Sequence, residues 1–453
     1  MLALAVLHGC NAKPLFLGSV IAERMSVWFN TRNFPKTEVG SGEKAGAPIQ
    51  TLENLEMKKT LVALAALAAT SAFAQTSVTL SGRASMDVST WSATGATSGS
   101  AADFKSRIRV ADTASRITFA VNEDLGGGSR AGVYCETGIN IDNASNMGQA
   151  GTNNGNTSEW CSREGRMSYG NATAEVRLGR QNVWWTQGEL NQIGSTFLGS
   201  DSLTNLINGG AAVYTVRGEN QIKVVAGSGT GAFAGSEIYT GFMGLSGGNP
   251  TATTAQEGEA AGANKDAKAQ YQGAKVNYNV GPVVFMLDVQ NSQNSPTTAT
   301  ATNSFDRSAT KVGFGYKYNP TSIVTFQTWN KDRTDQTAPT AAYTTVAGNA
   351  KDSGYGITVK HDLGGGLTAH AQYGKANNLK GTSTGEIAGS GATGMTLGAT
   401  KALSKRTHVY GSYHKITNGT AGTYGMSGGN YQSGTPAAGA DTKMMALGMI
   451  HNF

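Results

Sequence analysis

The chain has 453 residues, with Lys+Arg 36 against Asp+Glu 30, charged residues at 15%, Gly 61 and Pro 9. That charged fraction lies well under the roughly 25% usual for a soluble globular domain, and the small positive excess forms no runs, which excludes a nucleic-acid binder built on clustered basic residues. Beyond residue 74 no apolar run approaches the ~20 residues of a transmembrane helix; in a membrane the chain must be a closed β-barrel, the other structure that satisfies every backbone polar group in lipid.

Met1 to Glu56 has no clean hydrophobic period and carries both charges, so it reads as an upstream extension outside the working protein, with translation starting at Met57. Leu7-His8-Gly9-Cys10 faintly suggests a lipoprotein cleavage site, but no positive segment precedes it. Residues 57–74 read as a secretory signal peptide: Lys58 and Lys59 open it, a short apolar run follows, and Ala72-Phe73-Ala74 supplies the small-x-small cleavage site. The exported chain, 75–453, keeps 29 Lys and Arg against 25 Asp and Glu.

From Gln75 the dominant period is two. Ile117, Phe119 and Val121 alternate with Arg116, Thr118 and Asn122. Val283, Phe285, Leu287 and Val289 alternate with a face that ends in Asp288 and Gln290, and Val312, Phe314, Tyr316 and Tyr318 alternate with Lys311, Gly313, Gly315 and Lys317. These are strands with one wet face. The wet face carries charge, amides and many glycines, and the strands run about ten residues, the length of a tilted crossing of the hydrocarbon layer; both features point the apolar face at lipid and the polar face at a water-filled lumen.

Connections alternate strictly in length. Tight turns such as Asp124 to Gly128, Gly170 to Ala172, Asn319 to Ser322, Asp362 to Gly366 and Leu403 to Arg406 separate long polar segments such as Asn140 to Ser158, Asn182 to Val216 and Asn418 to Ala440. An up-and-down barrel with periplasmic turns and extracellular loops has that layout. The predicted strands number about sixteen, at about 77–88, 107–122, 129–139, 159–170, 173–181, 217–226, 232–243, 266–279, 282–290, 307–318, 323–331, 353–362, 367–376, 389–402, 406–417 and 441–453. That number leaves an aqueous channel. The last strand has Met445, Leu447, Met449 and Phe453 on one face, with His451 as its polar member, and looks built to close the barrel against the first strand near Ser77.

The exported part has two cysteines, Cys135 and Cys161. They are either packed thiols or a disulfide joining the strands that flank the loop Asn140 to Ser158, since an oxidising compartment permits the bond and spacing alone does not decide it.

Several segments in order resemble the trimeric general-diffusion porins of Gram-negative outer membranes: Ser77-Val78-Thr79-Leu80-Ser81-Gly82, Ser115-Arg116 with Glu123 to Gly128, Glu175-Val176-Arg177-Leu178-Gly179-Arg180-Gln181, Leu403 to Gly411, and the terminal His451-Asn452-Phe453. The resemblance implies an all-β transmembrane antiparallel barrel in the cell outer membrane, a long third loop (Asn182 to Val216) folded into the lumen, and passive diffusion of small hydrophilic solutes and ions. It also implies a homotrimer among outer-membrane lipid and lipopolysaccharide. By the same resemblance Arg116, Arg163, Arg217 and Arg180 on the wall, with Glu189 and Asp201 on the loop, are the pore-constriction residues, and the Arg-rich wall leans the channel towards anions. The chain departs from the family where a Pro-Glu-Phe-Gly-Gly-like loop tip is usual; here the tip reads Ser195-Thr196-Phe197-Leu198-Gly199-Ser200.

No catalytic or metal-binding constellation stands out, and no cofactor is expected. His361, His370, His408, His414 and His451 are scattered, without the spacing that holds zinc. His370 lacks the Gly-x-Ser-x-Gly elbow of a hydrolase, and Gly126-Gly127-Gly128 is a turn with no following helix to bind phosphate. The rival reading is an outer-membrane adhesin or structural barrel acting through its Gly/Thr/Asn-rich loops.

Overall fold

The structure, a computed structural model, describes residues 76–139, 141–142, 160–183, 190, 193, 197–209, 217–227, 231–242, 268–295, 305–335, 349–381, 385–426 and 436–453. The expected extension 1–56 and signal peptide 57–74 lie outside the described residues, as do Trp184, Trp185 and Glu189.

Sixteen antiparallel strands form one closed barrel. In chain order they are β1 (Ser77–Thr94), β2 (Phe104–Asp112, resuming as Arg116–Gly126), β3 (Ser129–Gly138), β4 (Glu164–Gly170), β5 (Ala174–Asn182), β6 (Arg217–Ala226), β7 (Glu237–Phe242) and β8 (Lys268–Val280). They continue as β9 (Val283–Ser295), β10 (Phe305–Asn319), β11 (Ser322–Asp335), β12 (Asn349–Gly364), β13 (Leu367–Ala376), β14 (Ala392–Ala402), β15 (Thr407–Asn418) and β16 (Asp441–Asn452). Each strand pairs with the next, and β1 pairs with β16 from Arg83↔Asn452 to Thr94↔Asp441, so no edge remains open to lipid.

The strands run where the period of two predicts them, with differences at their ends and at the seam; β4 and β7 begin at Glu164 and Glu237, five residues after the predicted 159 and 232, and β2 is interrupted between Asp112 and Arg116. Several are longer at the loop end than the apolar alternation indicates: β1 continues to Thr94, β9 to Ser295, and β12 starts at Asn349. Above the hydrocarbon layer the ladder goes on between polar residues, where the lipid-facing signal has already stopped. The closing seam is also displaced. β16 starts its register at Arg83, and Gly82 and Phe453 exchange backbone hydrogen bonds of 2.9 and 3.1 Å, while Ser77 to Ser81 pair only with the second half of β2.

The molecule is built inside out. Val312 and Leu447 are 51% and 72% exposed, while Asp288 and Lys311 are fully buried. On β9 the alternation is explicit: Phe285 and Leu287 face outward, and Val284, Met286, Asp288 and Gln290 are buried inside. Such a contiguous apolar exterior is intolerable in water and is the lipid belt of a barrel. Tyr316, Tyr318 and Tyr373 stand exposed on it, as interfacial aromatics do.

Candidate functional site

The first wall of the lumen, β1 to β6, carries a basic arc that begins at an interruption of β2. The Asp112 carboxylate accepts from the amides of Ala114 and Ser115 at 2.8 and 2.9 Å, Ala114 takes a positive φ of 84°, and the Ser115 hydroxyl accepts from the Ser85 amide at 2.9 Å. This short side-chain-capped break re-aims the strand, which resumes with Arg116 opposite Arg83 of β1. Two arginines thus stand directly across from each other, a pairing that costs stability unless a counter-charge is near.

The counter-charge is Glu136 of β3. Its carboxylate lies 2.6 Å from Arg163 Nε and 3.4 Å from Arg116 Nε. Glu136 is itself opposite Glu164 of β4, whose carboxylate receives Arg166 and the Asn182 amide group. Arg217, opposite Asn182 at the start of β6, is within electrostatic reach of Arg163, Arg180, Glu136 and Glu164. Arg180, at the bulge between Gly179 and Gln181, donates to the Ser162 carbonyl at 2.9 Å. Arg83 completes the arc, buried and within reach of Arg116 and Arg163. Six guanidinium groups therefore gather about Glu136 and Glu164 along one side of the water column, with Asp112 also within electrostatic reach of Arg83.

A disulfide joins Cys135 to Cys161, with Cα atoms 4.6 Å apart. It ties the segment bearing Arg163 to β3, assisted by the Cys161 amide on the Thr137 hydroxyl at 2.9 Å and the Arg163 amide on the Glu136 carbonyl at 3.0 Å. Arg163 stands just before β4 rather than within it.

The second wall, β9 to β15, receives the third loop. Leu190 packs on Val284 and Met286 and sits over Gly313 and Gly315. Leu203 fills the space over Gly356 and Gly374, Leu206 lies over Gly374 and Gly394, and Leu198 covers Gly398. A Cβ at Gly398 would stand 2.6 Å from the nearer Leu198 methyl, so the inward glycines are seats for leucines rather than open lumen wall. The loop is also tied by polar contacts. The Leu203 amide donates to Gln372 at 2.9 Å, Ser202 bonds Thr396, and Thr325 donates to the Leu190 carbonyl at 2.8 Å. Phe197, at the loop tip, packs against His370 and His408 with Lys360 Nζ 4.8 Å from its ring, which accounts for two of the scattered histidines.

Within this loop α1 (Ser202–Asn208) is short and buried against β13 and β14. Asp201 is its N-cap, accepting from the Thr204 amide at 2.7 Å, and is 3% exposed. At the other end Lys331 donates to the carbonyls of Ile207 and Gly209 at 2.6 and 2.7 Å while paired with Asp352 at 2.8 Å. A cation at the open carbonyl end of a helix satisfies orphan acceptors.

Of the residues expected at a constriction, Arg116, Arg163, Arg180 and Arg217 lie in one arc, Asp201 is committed to α1, and Glu189 lies outside the described residues. Arg83, Glu136 and Glu164 were not anticipated. Arg83 falls on the inward phase of β1, and Glu136 adjoins a half-cystine; both signals are readable, but the partners they imply depend on register.

The sequence profile of Gram-negative porins matches residues 60–421. The outer membrane porin protein 32 of Delftia acidovorans is 27% identical over 404 residues, covering 88% of this chain and 100% of its own length. Among solved structures, an anion-selective porin from Comamonas acidovorans superposes with a TM-score of 0.59 at 22% identity, over 84% of this chain and 100% of its own. The trimer form of OmpT, an outer membrane protein of Vibrio cholerae, gives 0.52 at 11% identity, over 83% and 99%. A closed sixteen-stranded barrel with a lipid-facing exterior, a charged interior and a loop seated inside it agrees with these matches: the chain belongs to the Gram-negative porin family, the water-filled channels of the outer membrane.

Proposed function

We propose that this porin passes small hydrophilic anions in preference to cations, with the arc of Arg83, Arg116, Arg163, Arg180 and Arg217 as the selecting element. The observation that carries this reading is the gathering of these guanidinium groups within electrostatic reach of one another on one wall. Fixed charge beside a narrow water column raises the local concentration of the opposite ion and lowers that of its own sign. The anion selectivity named for the Comamonas porin supports the same direction. The channel works by passive diffusion without covalent chemistry, the mature chain begins at Gln75 after removal of the signal peptide, and three copies assemble in the membrane, as the trimer form of the Vibrio protein suggests.

The test is the zero-current potential of the protein in a planar bilayer under a salt gradient, beside Arg116→Glu. The expected result is an anion-signed potential that shifts towards cations in the variant. It also shrinks as salt rises, because the screening length falls from about 10 Å at 0.1 M to about 3 Å at 1 M. A cation-signed potential in the unmodified protein overturns the reading.

A further inference from the structure

On the outer wall a groove of about 550 Å³ runs across the strands near the closing seam. Val88, Leu447 and Met449 form one bank, Leu367 and Val409 the other. Its floor is low because Ala399 of β14 pairs with Gly411 of β15, and Gly411 in turn pairs with Leu447 of β16. The groove opens towards the short turn between β14 and β15, hence towards the periplasmic leaflet. That turn carries Lys405 and Arg406, both exposed, and Lys401 reaches the next short turn, its ammonium 2.7 Å from the Gly365 carbonyl.

The cations have no acid of their own stretch to answer them: from Ile387 to Ala440 the sequence contains neither Asp nor Glu. The acid on the adjoining turn, Asp362, is committed to the Thr321 hydroxyl and the Gly364 amide, each at 2.8 Å. On β10 the same edge of the barrel is marked by Tyr316 and Tyr318; near the groove it carries the exposed Phe453 beside these cations. An apolar trough that ends in unopposed positive charge at the interface matches a ligand with an acyl chain and an anionic head.

We propose that this groove is a seat for one anionic phospholipid of the periplasmic leaflet, its acyl chain over Ala399 and Gly411 and its phosphate at Lys405 and Arg406. The seat is independent of what the pore conducts. The experiment is native mass spectrometry of the folded protein in detergent, titrated separately with phosphatidylglycerol and with phosphatidylcholine of the same chains. Phosphatidylglycerol is expected to be retained in preference, with the preference falling about fivefold for each cation reversed in Lys405→Glu and Arg406→Glu. Gly411→Leu, which fills the trough from the lipid side, should lower its retention while leaving conductance unchanged. Equal retention of the two lipids, or a preference that survives both sets of changes, overturns the proposal. So does efficient cross-linking of Gly411→Cys between copies in native membranes, which would make the groove a contact between protomers.

Discussion

The two walls of the lumen are held by different physics. The wall of β1 to β6 is an electrostatic compromise: Arg83 faces Arg116 and Glu136 faces Glu164, so like charges stand opposite one another in two neighbouring pairs. Each is tolerable only because the other pair, with Arg163 and Arg166, surrounds it. The wall of β9 to β15 is a fit of shapes, in which glycines leave room for Leu190, Leu198, Leu203 and Leu206 and a few hydrogen bonds fix the register of the loop. Two of its buried lysines are matched by acids, Lys311 with Asp288 at 4.0 Å and Lys331 with Asp352 at 2.8 Å, while Lys360 lies against Phe197. The first wall sets like charges opposite one another in two pairs, whereas the second sets no like charges opposite one another in its two matched pairs. Under the proposed function, the sign of the pore is set on one side and its width on the other.

That division can be broken most severely at Lys331. Lys331→Met removes the cation from the carbonyl end of α1 and leaves Asp352 buried without it, at a cost of about 3–5 kcal/mol. The expected outcome is a lower urea midpoint for the compact, fast-migrating gel form, largely recovered when Asp352→Leu is added. Leu203→Ala should cost about 3 kcal/mol of loop seating. Single-channel records should then show a noisier, wider pore with an unchanged zero-current potential; a shifted potential would mean that the walls are not separate in function.

On the opposite wall, Cys135→Ser with Cys161→Ser removes the constraint on a loop closed at a sequence separation of 26. The chain-entropy account gives about 2–3 kcal/mol. Anion preference should fall as the segment bearing Arg163 is released from Glu136, while the width of the open pore stays the same. The smallest effect belongs to Asp201→Ala. Loss of the cap should cost about 1 kcal/mol and leave ion preference untouched; a marked gain in anion preference would restore Asp201 to the pore as a working charge.

The sequence was legible wherever one face of a strand met lipid. Val312, Phe314 and Tyr316 announce β10 because the outer face has a single requirement, apolarity, repeated every second residue. The strand ends were less legible, since beyond the lipid the backbone ladder continues between polar residues, pairing Ser292 with Arg307 and Asn330 with Ser353. In the site, the arginines could be picked out singly, but their acids could not. Glu136 serves Arg116 and Arg163 through cross-strand register, while Asp201, sought as a pore acid, caps α1 from a sequence context, Asp-Ser-Leu-Thr, that is already that of an N-cap. The glycines misled for a simpler reason. A residue without a side chain looks the same in sequence whether it faces water or a leucine from a loop more than a hundred residues away.

The seam between β1 and β16 sets the order of assembly. Every other strand bonds to a neighbour that follows it directly along the chain, whereas Gly82 and Phe453 bring together nearly the whole span of the barrel. The entropy lost on closing a loop grows with its length, and contacts between distant residues form slowly. Closure of this seam is therefore expected to be the slowest pairing of the barrel to form.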